Sequence, residues 1–417
     1  MLKIVHRICC GIDVHKKFVV ATIGKTNQAG TTDYETREFS TFTENLIHLR
    51  DWLISSNCKE VCMESTGKYW IPVFNILETD CNVFVANPKY VRGIRGKKTD
   101  KRDSIWLCDL HKHGLVQNSF IPPWQIRQIR DLMRYRYKLT NFKSSEKNRV
   151  QNSLTVSNIM LSSVVSDTFG KSSMRIVNHL LENPEDTTFD VSPLMHKGMK
   201  ASAEELSKSI QGTLTKPQAE KMLVCLAHLD DIDKYKASIE SAVLELAEPY
   251  MEQIELLLTI PGIKDIYTAI GIIGEIGADM SVFHSSRHLC SWAGLVPANN
   301  ESAGKKKSVR CARAGTYIKP LMVQCAHAAV KSKECPYFRL RFEQISRRRG
   351  KKKAIIAIAH MLMGCIYHMI SRGEAFNYDL YRIDNAPKPK PDTEITKEQA
   401  IQLLQSLGAQ VIMPTAV

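Results

Sequence analysis

The 417-residue sequence has twelve cysteines but no pair at C-x-x-C spacing, which removes the commonest thiolate zinc sites. Several of these cysteines fall inside apolar runs, the pattern of reduced, buried thiols in a cytoplasmic protein. The first residues have no apolar core of a secretory leader. The most apolar stretch, Ala354 to Ile370, falls short of the roughly 20 residues a membrane span needs and carries His360 and His368. A core helix and no membrane partner are expected there. Acidic residues are scarce in one segment: from Glu301 to Lys353, three Glu stand against sixteen Lys and Arg, giving thirteen of the formal net charge of +14. Such a block is expected to meet a polyanion. Hydrophobic residues make up 44% of the chain, enough for a packed core, so disorder is not the default reading.

The periodicity divides the chain into four segments. Residues 1–120 read as an α/β domain. Ile8 to Ile12 and Phe18 to Ile23 form a hairpin, Tyr34 to Phe39 a third strand, and Thr43 to Ser55 a helix. Strands at Glu60 to Met63 and Asn82 to Ala86 flank a helix near Tyr69 to Leu77, and a closing helix begins at Asp100. That order is the one of a ribonuclease-H-like fold. Pro122-Pro123 ends it, and residues 121–258 read as a coiled-coil arm. No proline or glycine occurs from Trp124 to about Ser163, and eight Lys/Arg face two acids between Trp124 and Gln151. This long basic helix is expected to pair with a second one at about Asp230 to Thr259. Residues 259–384 form a mainly helical C-terminal domain, and 385–417, opening near Pro-Lys-Pro-Lys-Pro, a linker and tail.

Four carboxylates carry the chemistry. Asp13 ends the first strand and Glu64 another, while Asp100 and Asp103 stand at i and i+3 on the first turn of the closing helix. Strand-end acids on adjacent central strands open toward one edge and meet that helix start. Four oxygen donors at one point suit two Mg²⁺ ions, or Mn²⁺, in phosphoryl transfer. Lys97, Lys98, Lys101 and Arg102 around them suit a phosphate backbone. Taken singly, each acid reads as a turn residue, a cap or dipole compensation.

Farther along, Leu258 to Lys264 looks like a helix-hairpin-helix, in which a turn at Gly262, next to Lys264, presents backbone N–H groups to a phosphate. With it the chain resembles the DEDD transposases of bacterial insertion sequences. The resemblance covers about residues 7 to 375 and rests on GIDVHK, ESTGKYW, KKTDKRDS, TIPGI and GLVP followed by ESAGKK. It implies a resolvase-like N-terminal domain joined by a coiled coil to a domain bearing a catalytic serine. By position it implies Asp13, Glu64, Asp100 and Asp103 as metal ligands and Ser302 as the nucleophile on a DNA phosphate. The family commonly has glycine right after that serine; here Ala303 precedes Gly304, which leaves Ser308 as the alternative. It further implies donor and target DNA, a structured guide RNA from the same element, and dimers assembling into tetramers. Lys305, Lys306, Lys307, Arg310 and Arg313 would hold the scissile phosphate, and Arg347, Arg348 and Arg349 a more distant one.

Three other readings compete. A structure-selective resolvase-type nuclease would use the four acids with water and no covalent step. Sugar-kinase-like and actin-like ATPases share a GID-type strand but need glycine-rich phosphate loops after a second copy of the core, and the sequence has none. A binding protein without catalysis would have its acids dispersed.

Overall fold

The computed structural model describes residues 2–91, 99–184, 186, 188–297, 300–302, 305–308, 310–311, 314–382 and 384. Lys97, Lys98, Arg313 and the expected linker and tail at 385–417 lie outside the described residues. The chain divides into two compact units, Met1–Ile121 and Pro122–Val417.

The first unit runs β1 (Ile8–Val14), β2 (Phe18–Thr26), β3 (Thr32–Ser40), α1 (Thr43–Ser55), β4 (Glu60–Glu64), α2 (Trp70–Leu77), β5 (Asn82–Ala86), the single turn α3 (Pro88–Val91) and α4 (Asp100–Lys112). Its five strands are ordered β3-β2-β1-β4-β5. The first three are antiparallel neighbours joined by short turns, whereas β4 lies parallel to β1 and β5 parallel to β4. Parallel pairing needs crossovers, which α1 and α2 supply.

Strand alternation assigns the two faces. Cys10, Ile12, Val14, Val61 and Met63 share a core with Leu46, Leu49 and Leu53 of α1 and Val73 and Leu77 of α2. The intervening residues turn to α4: Cys62 and Ala86 cluster with Leu107, and the Cys9 and Cys108 sulfurs lie 3.6 Å apart. Helix and strand approach so closely that a Cβ on Gly11 would sit 2.2 Å from the Ser104 carbonyl oxygen, so only glycine fits. β3 is the free edge, and its charged, mostly exposed residues discourage further strand pairing.

Among its described residues, the regular structure of the second unit is helical except for one hairpin. It contains α5 (Trp124–Val156), the turn α6 (Leu161–Val164), α7 (Lys171–Glu182), α8 (Ala203–Ser209), α9 (Lys216–Ala247), α10 (Met251–Leu258), α11 (Ile266–Ile276) and α12 (Ser286–Trp292). The hairpin of β6 (Asn300–Ser302) and β7 (Lys305–Ser308) precedes α13 (Ile318–Lys331), α14 (Tyr337–Arg349) and α15 (Lys351–Arg372). α5 and α9 run antiparallel, tied by Arg136 to Glu240 at 2.7 Å, Lys143 to Asp233 at 2.6 Å and His228 to Glu146 at 3.2 Å.

Two helices differ in extent from the sequence expectation. α5 stops at Val156 rather than near Ser163, because Asn158 takes the left-handed φ of 58° and turns the chain back. α9 starts at Lys216, not Asp230, and ends at Ala247, where Glu248–Tyr250 tightens into a 3-10 turn around Pro249. Between α5 and α9, a small helical cap closes their far ends around Leu154, Ile176, Leu180, Leu206 and Met222. α15 is longer than its apolar stretch. At 22 residues it is long and apolar enough to cross a membrane by those measures, yet half of that apolar window is buried within the protein, with Ile358, Leu362 and Ile366 fully so.

Candidate functional site

β1 and β4 are parallel with Ile12 beside Met63, so Asp13 and Glu64 are the next residues on adjacent strands, at one edge of the sheet. By alternation both turn to the face that α4 covers. α4 begins at that edge, capped by the Thr99 hydroxyl accepting from the Arg102 N–H at 3.3 Å. Its first turn carries Asp100 and Asp103.

His15 joins strand edge to helix start. The backbone turns after Val14, with His15 N–H donating to the Phe18 carbonyl at 3.0 Å. His15 Nε2 then lies 3.2 Å from Asp13 Oδ2 and 3.5 Å from Asp100 Oδ1. One ligand atom from each of these three residues lies within 4.8 Å of the others, a spacing one cation can bridge. Asp13 is buried, and its carboxyl is pushed above the usual range: burial raises it most, His15 opposes, and the charges of Asp103 and Asp100 raise it further. Asp103 therefore faces the same cluster electrostatically. Glu64 and Asp103 are half-buried, while the Asp100 side chain is 48% exposed, leaving the cluster open to solvent on the helix side.

His15 was missed in the sequence as a site residue although it stands in GIDVHK. Its i+2 spacing from Asp13 was not a sufficient signal, because the chain leaves the strand after Val14 and the turn to Phe18 is what brings the two side chains together.

The cations fall into distinct settings. Lys101 and Arg102 are exposed on the first turn of α4. In the second unit, Ser302 ends β6 and stands opposite Lys305 in the backbone register; Glu301 stands opposite Lys306, and Ser308 opposite Asn300. Lys307 lies within β7, and Arg310 is exposed just beyond it. Gly262, at φ 94°, turns the chain between α10 and α11, and a Cβ there would sit 2.5 Å from the Cys325 carbonyl oxygen of α13. Lys264 pairs with Glu334 at 2.9 Å. Packing against α13 thus accounts for the glycine, while Lys264 and Glu334 are both exposed.

Arg347, Arg348 and Arg349 end α14, and Gly350 at φ 81° leads straight into Lys351, Lys352 and Lys353 at the start of α15. All seven residues are exposed. The arginines suit the negative end of α14, but three lysines at a helix N-terminus oppose its dipole. Helix stability does not account for them.

Comparison with known proteins agrees with this layout. A transposase family profile matches residues 10–159, the segment with Asp13, Glu64, Asp100 and Asp103. A second profile, described as transposase of the IS116/IS110/IS902 family, matches residues 254–343, which include Ser302. The transposase for insertion sequence element IS1111A of Coxiella burnetii (strain RSA 493 / Nine Mile phase I) is 25% identical over 188 residues, 44% of this chain. The match spans about half of that relative, 51% of its length. With two profiles matched in order along most of the first 343 residues, the chain belongs to the IS116/IS110/IS902 family of transposases.

Proposed function

We propose that this protein cleaves and rejoins DNA by cation-dependent phosphoryl transfer at the sheet edge formed by Asp13, Glu64, Asp100 and Asp103, with Ser302 as the nucleophile. The observation that carries the proposal is the close approach of Asp13, His15 and Asp100, with Glu64 next to Asp13 on the same face. The order of strands and helices fits a ribonuclease-H-like domain, whose active edge lies at such strand ends. Carboxylate oxygens are the hard donors that Mg²⁺ or Mn²⁺ prefers, and an Asp13 held above its ordinary pKa by burial and, to a lesser extent, by Asp103 and Asp100 is a group that a cation would return to its ionised form. Two such ions would stabilise the attacking and leaving oxygens of the transferred phosphoryl group.

His15 holds Asp13 and Asp100 in place and is a positioning residue. Lys101 and Arg102 grip the DNA backbone beside the acids. Lys305, Lys306, Lys307 and Arg310 hold the phosphate that Ser302 attacks and offset its developing charge. The exposed cations at Arg347 to Lys353 bind a more distant stretch of backbone. A structured RNA from the same element, and assembly into dimers or tetramers, belong to the same proposal through the family resemblance.

The test is a strand-transfer assay with the element's own ends. Asp13→Asn abolishes transfer while DNA and RNA binding persist; binding lost together with transfer would make Asp13 a structural residue and sink the assignment. Ser302→Ala abolishes the covalent protein–DNA product. Undiminished strand cleavage in that variant would replace the serine mechanism with the water-driven nuclease. Sequencing the RNA that copurifies with the protein checks the guide: a discrete transcript from the flanking DNA is expected, and its absence removes that partner.

A further inference from the structure

The edge of the sheet opposite Asp13 holds a second cluster. Glu60 opens β4, on the face that α4 covers; His111 lies near the other end of α4, about 16 Å along the helix axis from Asp100; and His6 precedes β1. His6 is fastened there by its chain: the Val5 and His6 N–H groups both donate to the Lys112 carbonyl, at 2.8 and 3.1 Å. The two imidazoles stack with centroids 4.6 Å apart. Glu60 Oε2 lies 3.6 Å from His6 Nδ1 and 3.8 Å from His111 Nε2, too far for hydrogen bonds.

The His111 side chain is 1% exposed, and its Nε2 is buried with no hydrogen-bond partner. An orphaned buried nitrogen is costly in a folded protein and calls for an explanation. This one lies within 4.8 Å of the other two ligand atoms of the cluster. Burial, and to a lesser extent His6, lowers the His111 pKa to about 4, so the ring is neutral at neutral pH, the form that ligates metals.

We propose that His6, Glu60 and His111 form a site for one divalent transition-metal ion of the zinc class, separate from the cations of the acid edge. Two imidazole nitrogens and one carboxylate oxygen are the donor set such an ion takes, whereas Mg²⁺ favours oxygen alone. Metal–ligand bonds of roughly 2.0–2.1 Å in tetrahedral geometry place ligand atoms about 3.3 Å apart, so the two measured edges close by a few tenths of an ångström and the partly exposed His6 ring turns out of its stack to aim its in-plane lone pair at the ion. Asn82 Nδ2 donates to both Glu60 oxygens, at 3.1 and 3.3 Å, and orients the carboxylate from behind. The His6 and Glu60 side chains are 21% and 28% exposed, which gives the ion a route in and leaves one coordination position open to water. The ion ties together the segment before β1, the start of β4 and the end of α4, and so fixes the helix that carries Asp100 and Asp103 at its other end.

The experiment is a Co²⁺ titration of the full-length, metal-stripped protein, read by the visible d–d bands of four-coordinate Co²⁺ and by competition with Zn²⁺. One equivalent giving those bands is expected in the wild type and equally in Asp13→Asn, which disables the acid edge. His6→Ala and Glu60→Gln, both at partly exposed positions, abolish the bands while unfolding in EDTA at the wild-type temperature. Asn82→Ala keeps them with affinity weakened roughly 10- to 100-fold. Bands that vanish in Asp13→Asn but survive in His6→Ala would place the ion at the acid edge and overturn the proposal, as would a wild type without bands. Strand transfer plays no part in the readout, so the result is independent of the proposed function.

Discussion

Two regions of the second unit are rich in Lys and Arg, and their cations do opposite work. Along α5 several of them turn inward, although Lys138 and Arg149 stay exposed. Arg130 donates to the carbonyls of Gly274 and Glu275 at 2.8 and 2.7 Å, at the end of α11, and Arg134 grips the Glu275 carboxylate through two nitrogens at 2.7 and 2.9 Å. Arg136, Lys143 and Arg149 each pair with a carboxylate of this unit. At the junction of α14 and α15 six consecutive cations flank one glycine and are all exposed. Charge density alone would make both regions nucleic-acid surfaces; partners and exposure favour the second for the backbone contact proposed above.

Breaking an inward pair tests the contrast most strongly. The Glu275 side chain is only 9% exposed, so Arg134→Ala strands a buried carboxylate. A loss of about 3–5 kcal/mol is expected, read as an early denaturant midpoint. An unchanged midpoint would return Arg134 to the solvent-facing class.

The outward ridge is expected to respond in the reverse way. Changing Arg347, Arg348 and Arg349 together to Gln leaves the unfolding midpoint close to wild type, as surface changes do. DNA affinity near 0.15 M salt falls by roughly 10²-fold, and the slope of log affinity against log salt becomes shallower by up to about 3. A salt slope equal to wild type would remove these arginines from the phosphate contacts.

The acid edge supplies the case that neither cation region does, a buried charge whose neighbours are mostly of its own sign. Because Asp13 has a folded pKa above its ordinary value, the folded chain binds that proton more tightly than the unfolded one. Without metal, the stability this gives is fully present below the ordinary carboxylate range and is lost as pH rises through the raised pKa. Asp13→Asn is therefore expected to unfold a few degrees above wild type in EDTA at neutral pH, a gap that closes toward low pH. A variant that melts below wild type at every pH would mean that Asp13 stabilises the fold as an ionised group.

These contrasts also mark what the residues disclose before folding. Thr43 to Ser55, Glu60 to Met63 and Asn82 to Ala86 were legible because apolar spacing and flanking polar breaks agree there. The start of α9 was not: the helix begins at Lys216, with Pro217 in its first turn, where a helix tolerates proline. The end of α5 hinged on one left-handed residue, Asn158, which no periodicity announces. At the acid edge the motifs pointed to Asp13, Glu64, Asp100 and Asp103, whereas His15 emerges only once the turn after β1 is drawn. His6, Glu60 and His111 share no motif at all; the strand register and the length of α4 bring them together.

The smallest effect lies at the rim of α5 and shows where the inward class ends. Lys143 reaches Asp233 of α9 at 2.6 Å, but its side chain is 32% exposed and that of Asp233 52%. Water screens such a pair, and fixing two flexible side chains offsets much of the attraction. Lys143→Gln is expected to cost less than about 1 kcal/mol, and a double-mutant cycle with Asp233→Asn should give a coupling that shrinks further in high salt. A coupling as large as that of Arg134 with Glu275 would show that α5 and α9 exclude water along their whole length, and the division between buried and exposed cations would then have to be drawn outside the helix pair.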